Sequence, residues 1–99
     1  MRPQQLTSNP QADRDIEAAF SWDEDQQAGL GYSFLERLRE TYDRIADGPL
    51  RYQDQGSGVR RAQVRPFPYG VFFELEGRLV VILQVLHLSR NPSEWQRRD

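Results

Sequence analysis

Residues 69–88 read YGVFFELEGRLVVILQVLHL, and the way this stretch divides decides the fold. Its first part sets large apolar residues at alternate positions, Tyr69, Val71, Phe73 and Leu75, which is the period of a strand with one buried face. Its second part, Arg78 to Leu88, is almost continuously apolar, so a strand there has cover on both faces. Glu76-Gly77 between the two predicts a tight hairpin turn. Upstream, Val59 to Val64 is a third candidate strand. Arg65-Pro66-Phe67-Pro68 predicts a bend or bulged edge, because neither proline has a donor for a ladder. Residues 3–7 predict one more strand, with a weak apolar face.

The half of the chain before this region has a helical period instead. Ala12, Ile16, Ala19 and Phe20 form one apolar stripe over residues 11–27, opened by Ser8-Asn9-Pro10 and closed by Gly29-Leu30-Gly31. A second stripe, Phe34, Leu35, Leu38, Tyr42 and Ile45, stops at Asp47-Gly48-Pro49. Two helices joined by a short glycine turn make an antiparallel hairpin. The expected architecture is therefore α+β: an N-terminal helical hairpin packed on a small, mainly antiparallel sheet of three to four strands. A length of 99 residues allows one domain, spanning 1–99, with a weak first strand within 1–9 and frayed residues at 96–99. The hairpin covers one face of the sheet and too little sequence remains for the other. That shortage predicts an apolar groove filled by a partner segment or by a second copy of the chain.

Composition narrows the chemistry. The 13 basic residues are all arginine, so a lysine base is excluded and any anion site is built from guanidinium forks. No cysteine and one histidine exclude thiolate catalysis, disulfides and multi-histidine metal sites, and no cofactor is expected. The net charge of -2 hides an asymmetry: residues 1–50 hold five Arg and ten acids, residues 51–99 eight Arg and five acids. The first 50 residues thus carry -5 and the rest +3. The N-terminus lacks the apolar stretch of a signal peptide and the longest apolar run is far short of a membrane span, so a cytoplasmic protein without membrane contact is expected.

Several strings are specific enough to resemble a family. Asp15-Ile16-Glu17-Ala18-Ala19, Trp22, Gly29-Leu30-Gly31 and Phe34-Leu35 resemble the helical hairpin of the RelE/ParE toxins of bacterial type II toxin-antitoxin modules. Val59-Arg60-Arg61, Phe67-Pro68-Tyr69, Val71-Phe72-Phe73, Val85-Leu86-His87, Arg90-Asn91-Pro92 and Trp95 are similar to the strand half, in the same order. The resemblance implies a growth-inhibiting, plasmid-stabilising toxin neutralised by the C-terminal segment of a cognate antitoxin. Acids of that segment would meet Arg60, Arg61 and Arg78, with Phe72 as apolar anchor. A homodimer is the expected alternative when antitoxin is absent.

The resemblance leaves the activity open between branches. ParE-like members bind and poison DNA gyrase. RelE-like members cut mRNA in the ribosome, which needs a base, an acid and cations around the phosphate. For a nuclease the candidates are Arg61, Arg65 and Arg90 as cations and His87 as acid or base. Arg61 and Arg65 share a face if the strand stays regular, whereas Arg60 points the other way. RelE's lysine-rich active surface has no counterpart in a chain without lysine, which turns the reading toward ParE. An inactive relative that only binds antitoxin is the third alternative, suggested by Asp23 and Pro66, where the family more often has Tyr and a basic residue. Tyr52, Tyr69, Trp22 and Trp95 read as packing or bend residues, and Glu17 and Asp23-Glu24-Asp25 as a solvated helix face.

Overall fold

The computed structural model describes residues 4–89. Arg90, Asn91-Pro92, Trp95 and the expected frayed end at 96–99 lie outside them. Strand β1 (Gln5–Ser8) leads into helix α1 (Pro10–Gln26), where the Asn9 side chain accepts the Ala12 N–H at 2.9 Å and Pro10 sits in the first turn. Helix α2 (Leu30–Asp47) follows and ends as the sequence predicts, at Gly48-Pro49. Arg51, from the short 3-10 turn Pro49–Arg51, donates to the Arg44 carbonyl at 2.9 Å and so satisfies an acceptor orphaned at the helix end. Strands β2 (Arg60–Gln63), β3 (Tyr69–Glu76) and β4 (Leu79–His87) follow among the described residues.

The sheet order is β1-β4-β3-β2, with β1 parallel to β4 and the other pairs antiparallel. Its core face carries Ala62, Val71, Phe73, Val80, Ile82 and Val85, packed under the helical hairpin. The hairpin contributes Phe34, Leu38 and Ile45 from α2 but only small apolar residues, Ala12 and Ala19, from α1. Here the structure corrects the expected stripe. Ile16 and Phe20 are only half-buried on the flank of α1, and the other buried positions of α1 beside the alanines are Asp15 and Asp23. Small residues bring α1 close to the sheet, which pushes its large side chains sideways.

Three smaller expectations also shift. Gly29-Leu30-Gly31 does not close α1: Gln27 caps it, Gly29 takes the left-handed conformation before α2 (φ 89), and Leu30 and Gly31 already belong to α2. Gly31 is needed for closeness, because a methyl there would lie 2.7 Å from the Phe20 carbonyl oxygen. The β3–β4 turn is Gly77-Arg78, one residue later than Glu76-Gly77, since Glu76 pairs with Leu79 and Gly77 takes the positive φ of 61°. The apolar run of β4 contains a bulge: Phe72 pairs with Gln84 and Phe73 with Ile82, so Leu83 is extra. Core-facing positions are therefore Val80, Ile82, Val85 and His87, a spacing that no period-two reading detects.

Candidate functional site

Strand alternation sorts the candidate residues between the faces of the sheet. Arg61 of β2 pairs with Phe72 of β3, which pairs with Gln84 of β4, so the three form one row on the face that lacks helices. Arg61 is exposed, and Phe72 is 8 % exposed although it lies outside the main core cluster. Gly70 lies one row further along, and a methyl there would come 2.8 Å from a Leu88 Cδ2 and 3.3 Å from the Arg61 Cδ. The missing side chain thus leaves room for the Arg61 stem and Leu88 to lie over the strand. Val81, Leu83 and Leu86 are half-buried. Arg61, Phe72 and these aliphatics share the helix-free face with Glu74, which pairs with Val81, so the surface is apolar with one cation and one acid and suits a peptide carrying hydrophobic anchors and an acid placed at Arg61.

The other predicted residues do not converge on that row. Arg60 is paired with core-facing Phe73, and its Nη1 donates to the Tyr52 carbonyl, which ties the strand to the preceding loop. Arg65 lies past the end of β2, where the ladder closes with the Val64 N–H donating to the Tyr69 carbonyl at 2.9 Å. The Arg65-Pro66 peptide is cis, and the regular strand that would align Arg61 with Arg65 is not present. Arg78 is exposed in the β3–β4 turn, roughly 30 Å along β4 from His87 at ~3.3 Å per residue.

His87 pairs with Tyr69, whose buried ring packs on Phe34, so the imidazole lies on the helix side. Its ring meets Tyr69 edge-on with centroids 5.2 Å apart, and its Nδ1 accepts the Ser89 N–H at 3.2 Å. Arg61 and His87 are therefore on opposite faces of the sheet.

A second surface, not expected from the sequence, lies on the outer side of the hairpin. Ile16, Glu17, Phe20 and Ser21 of α1 and Tyr32 and Leu35 of α2 line a groove between the helices. Tyr32 is 66 % exposed and meets Phe20 edge-on at 4.9 Å. At the far end of the helix pair the Tyr42 hydroxyl is held above its ordinary pKa, first by burial and then by the negative charge of Asp13. Sequence reasoning misplaced the acids here. Asp23 is 6 % exposed and not part of a solvated face, whereas Trp22, read as packing, is 45 % exposed. Glu24 accepts the Gly29 and Gly31 N–H groups at 2.8 and 2.9 Å, fixing the turn between the helices. A glutamate five residues before a glycine turn was the available signal.

Comparisons with known proteins agree with this architecture. A family model described as ParE toxin of type II toxin-antitoxin system, parDE, matches residues 7–92. Among solved structures, the chain is similar to one from the chromosomal ParDE toxin-antitoxin system of P. aeruginosa: TM-score 0.75, 15% identity, covering 85% of this chain and 95% of that one. It is also similar to a chain of the RelBE2 toxin-antitoxin complex from Mycobacterium tuberculosis: TM-score 0.63, 22% identity, covering 88% and 93%. A third similar chain comes from the E. coli DinJ-YafQ toxin-antitoxin complex: TM-score 0.52, 17% identity, covering 88% and 94%. At these identities the likeness is one of fold. No curated protein sequence matches significantly.

Proposed function

The chain belongs to the ParE toxin family of type II toxin-antitoxin systems, and from that premise we propose that it arrests growth by binding a protein target, DNA gyrase, and not by cutting RNA. The observation that carries the choice is the separation of Arg61 and His87 on opposite faces of the sheet. A phosphodiester cleavage site needs a proton-transfer group and a cation within hydrogen-bond reach of one phosphate. Binding needs only a shaped surface. No helix among the described residues is long and apolar enough to cross a membrane, which is compatible with a cytoplasmic target.

Neutralisation by a cognate antitoxin is supported by the family and by the similar folds, which were solved as or within toxin-antitoxin systems. On this reading the antitoxin's C-terminal segment lies along the helix-free face, with acids at Arg61 and an apolar anchor against Phe72. Arg60 serves the fold first, through Tyr52, and Arg78 meets only a partner that reaches the β3–β4 turn.

The test is tightly controlled expression with DNA synthesis and translation followed separately in the first minutes. The expected outcome is filamentation and DNA-damage signalling before protein synthesis falls, together with inhibition of gyrase by the purified chain. Early translation arrest with cut messages would replace this reading by the ribosome-dependent nuclease. An absence of any growth defect would replace it by the inactive antitoxin binder.

A further inference from the structure

We infer that β4 has a second register beyond its bulge, one residue out of step with the first, and that Gln84 decides between the two. The β3–β4 ladder jumps by one residue between Phe73, which pairs with Ile82, and Phe72, which pairs with Gln84. Closing that step disturbs nothing before Ile82. It pairs Phe72 with Leu83, Val71 with Gln84 and Tyr69 with Leu86. Because side chains alternate across a strand, every one after the step then turns to the other face. A strand with one polar face forbids such a slip. Residues 79–88 read LVVILQVLHL, so either face of β4 is almost wholly apolar in either register.

In the first register the core side receives Val85, 2 % exposed, and His87, half-buried, while Gln84 and Leu86 lie on the helix-free face. In the second the core side receives Gln84 and Leu86, and the helix-free face receives Leu83, Val85 and His87. Each register thus places one polar side chain on the core side, His87 in one and Gln84 in the other. The difference is depth. The Val85 position lies under α1, where the Asp15 carboxylate accepts the Val85 N–H at 3.1 Å. His87 sits at the strand end, edge-on to the Tyr69 ring, with its Nδ1 accepting the Ser89 N–H. Carrying the Gln84 amide into the deeper position opposes the second register by a factor on the order of ten to a hundred. A regular ladder in place of the bulge works the other way. Two packings of one sequence are therefore separated by the burial of a single amide.

The slip changes what the helix-free face offers. A methyl on Gly70 would meet Leu88 Cδ2 at 2.8 Å and Arg61 Cδ at 3.3 Å, so the Leu88 and Arg61 side chains share the space over that glycine. In the second register His87 takes the place of Leu88. The imidazole then stands beside Arg61, and the face loses a leucine. A peptide that grips Leu86 and Leu88 holds the first register and keeps His87 away from Arg61. Only this last consequence rests on the antitoxin reading; the two registers do not.

Nuclear magnetic resonance of the full chain tests the inference through contacts of the His87 ring. Gln84→Val supplies an apolar side chain to the deep position. It is expected to raise the share of the second register at least about tenfold, seen as a second set of signals in which His87 contacts Arg61 in place of Tyr69. Gln84→Glu, whose charge cannot enter the core, is expected to show the Tyr69 contacts alone. The chain has no cysteine, so a lock can be added cleanly: Val71→Cys with Val85→Cys joins positions paired in the first register. Combined with Gln84→Val and oxidised by glutathione disulfide, it is expected to abolish the second set, which returns on reduction. Circular dichroism confirms that each variant is folded.

A folded Gln84→Val variant with the Tyr69 contacts alone would overturn the inference. So would a second set of signals that survives the oxidised lock. The growth assay speaks only to the target of the toxin, and its failure leaves these measurements standing.

Discussion

The carboxylate of Asp15 accepts the backbone N–H of Val85 at 3.1 Å, joining residues 70 positions apart at the point where β4 bulges. A bulge leaves ladder groups without strand partners, and here a helix side chain supplies the missing acceptor. Asp15 is 6 % exposed, and its other oxygen accepts from Gln11 Nε2 at 2.9 Å. One hydrogen bond thus sets both the seating of α1 on the sheet and the register that turns Val85 and His87 to the helix side.

Asp15→Leu leaves a buried N–H without an acceptor and is expected to cost about 2–3 kcal/mol. Asp15→Asn retains a carbonyl oxygen for Val85 and is expected to cost less than half as much. Urea unfolding of the two variants measures the difference. Equal losses would show that the Val85 bond is not the source of the stability.

The hairpin turn depends on Glu24 and Gly31 in different ways. Glu24→Ala removes two acceptors from backbone N–H groups and is expected to cost about 1–2 kcal/mol. Gly31→Ala places a methyl against the Phe20 carbonyl and forces the helices apart, at about 1–3 kcal/mol. Thermal unfolding checks both.

Tyr42 carries a buried hydroxyl with no hydrogen-bond partner among the described residues. Its folded-state pKa is raised, so the protonated form contributes fully below the unfolded value of about 10, and stability falls as pH rises beyond that. Tyr42→Phe is expected to raise stability by about 1 kcal/mol at neutral pH. It should also flatten the alkaline decline, which denaturant midpoints between neutral and strongly alkaline pH reveal.

Arg61 and His87 are expected to separate by phenotype. Arg61→Glu reverses a charge on the helix-free face and is expected to weaken antitoxin binding by on the order of tenfold or more while preserving the fold. His87→Ala removes a ring packed on Tyr69, so it should lower stability and leave growth arrest intact at a permissive temperature. Loss of toxicity in a folded His87 variant would restore the nuclease reading.

Much of the fold was legible before any coordinates. Asn9-Pro10, Gly48-Pro49 and the change of period after residue 58 are local signals, set by caps, ring closure and alternation, and each appears where expected. The site was less legible because strand pairing, not sequence spacing, decides which side chains meet. Arg61 and Arg65 look like neighbours on one face until β2 ends at Gln63. Phe20 looks like a core residue until Ala12 and Ala19 prove to be the ones that face the sheet.

By itself the sequence determined the class, the order of elements, the all-arginine cation chemistry and the charge asymmetry between the halves, since these depend on residue type and short-range period. Only the tertiary structure decided that an aspartate accepts the free N–H at the bulge of β4, that His87 and Arg61 are kept apart by the sheet, and that the hairpin has a groove walled by Phe20 and Tyr32. Each of those depends on a one-residue bulge or a small-residue contact that shifts whole rows of side chains, and such shifts are fixed by packing between segments far apart along the chain.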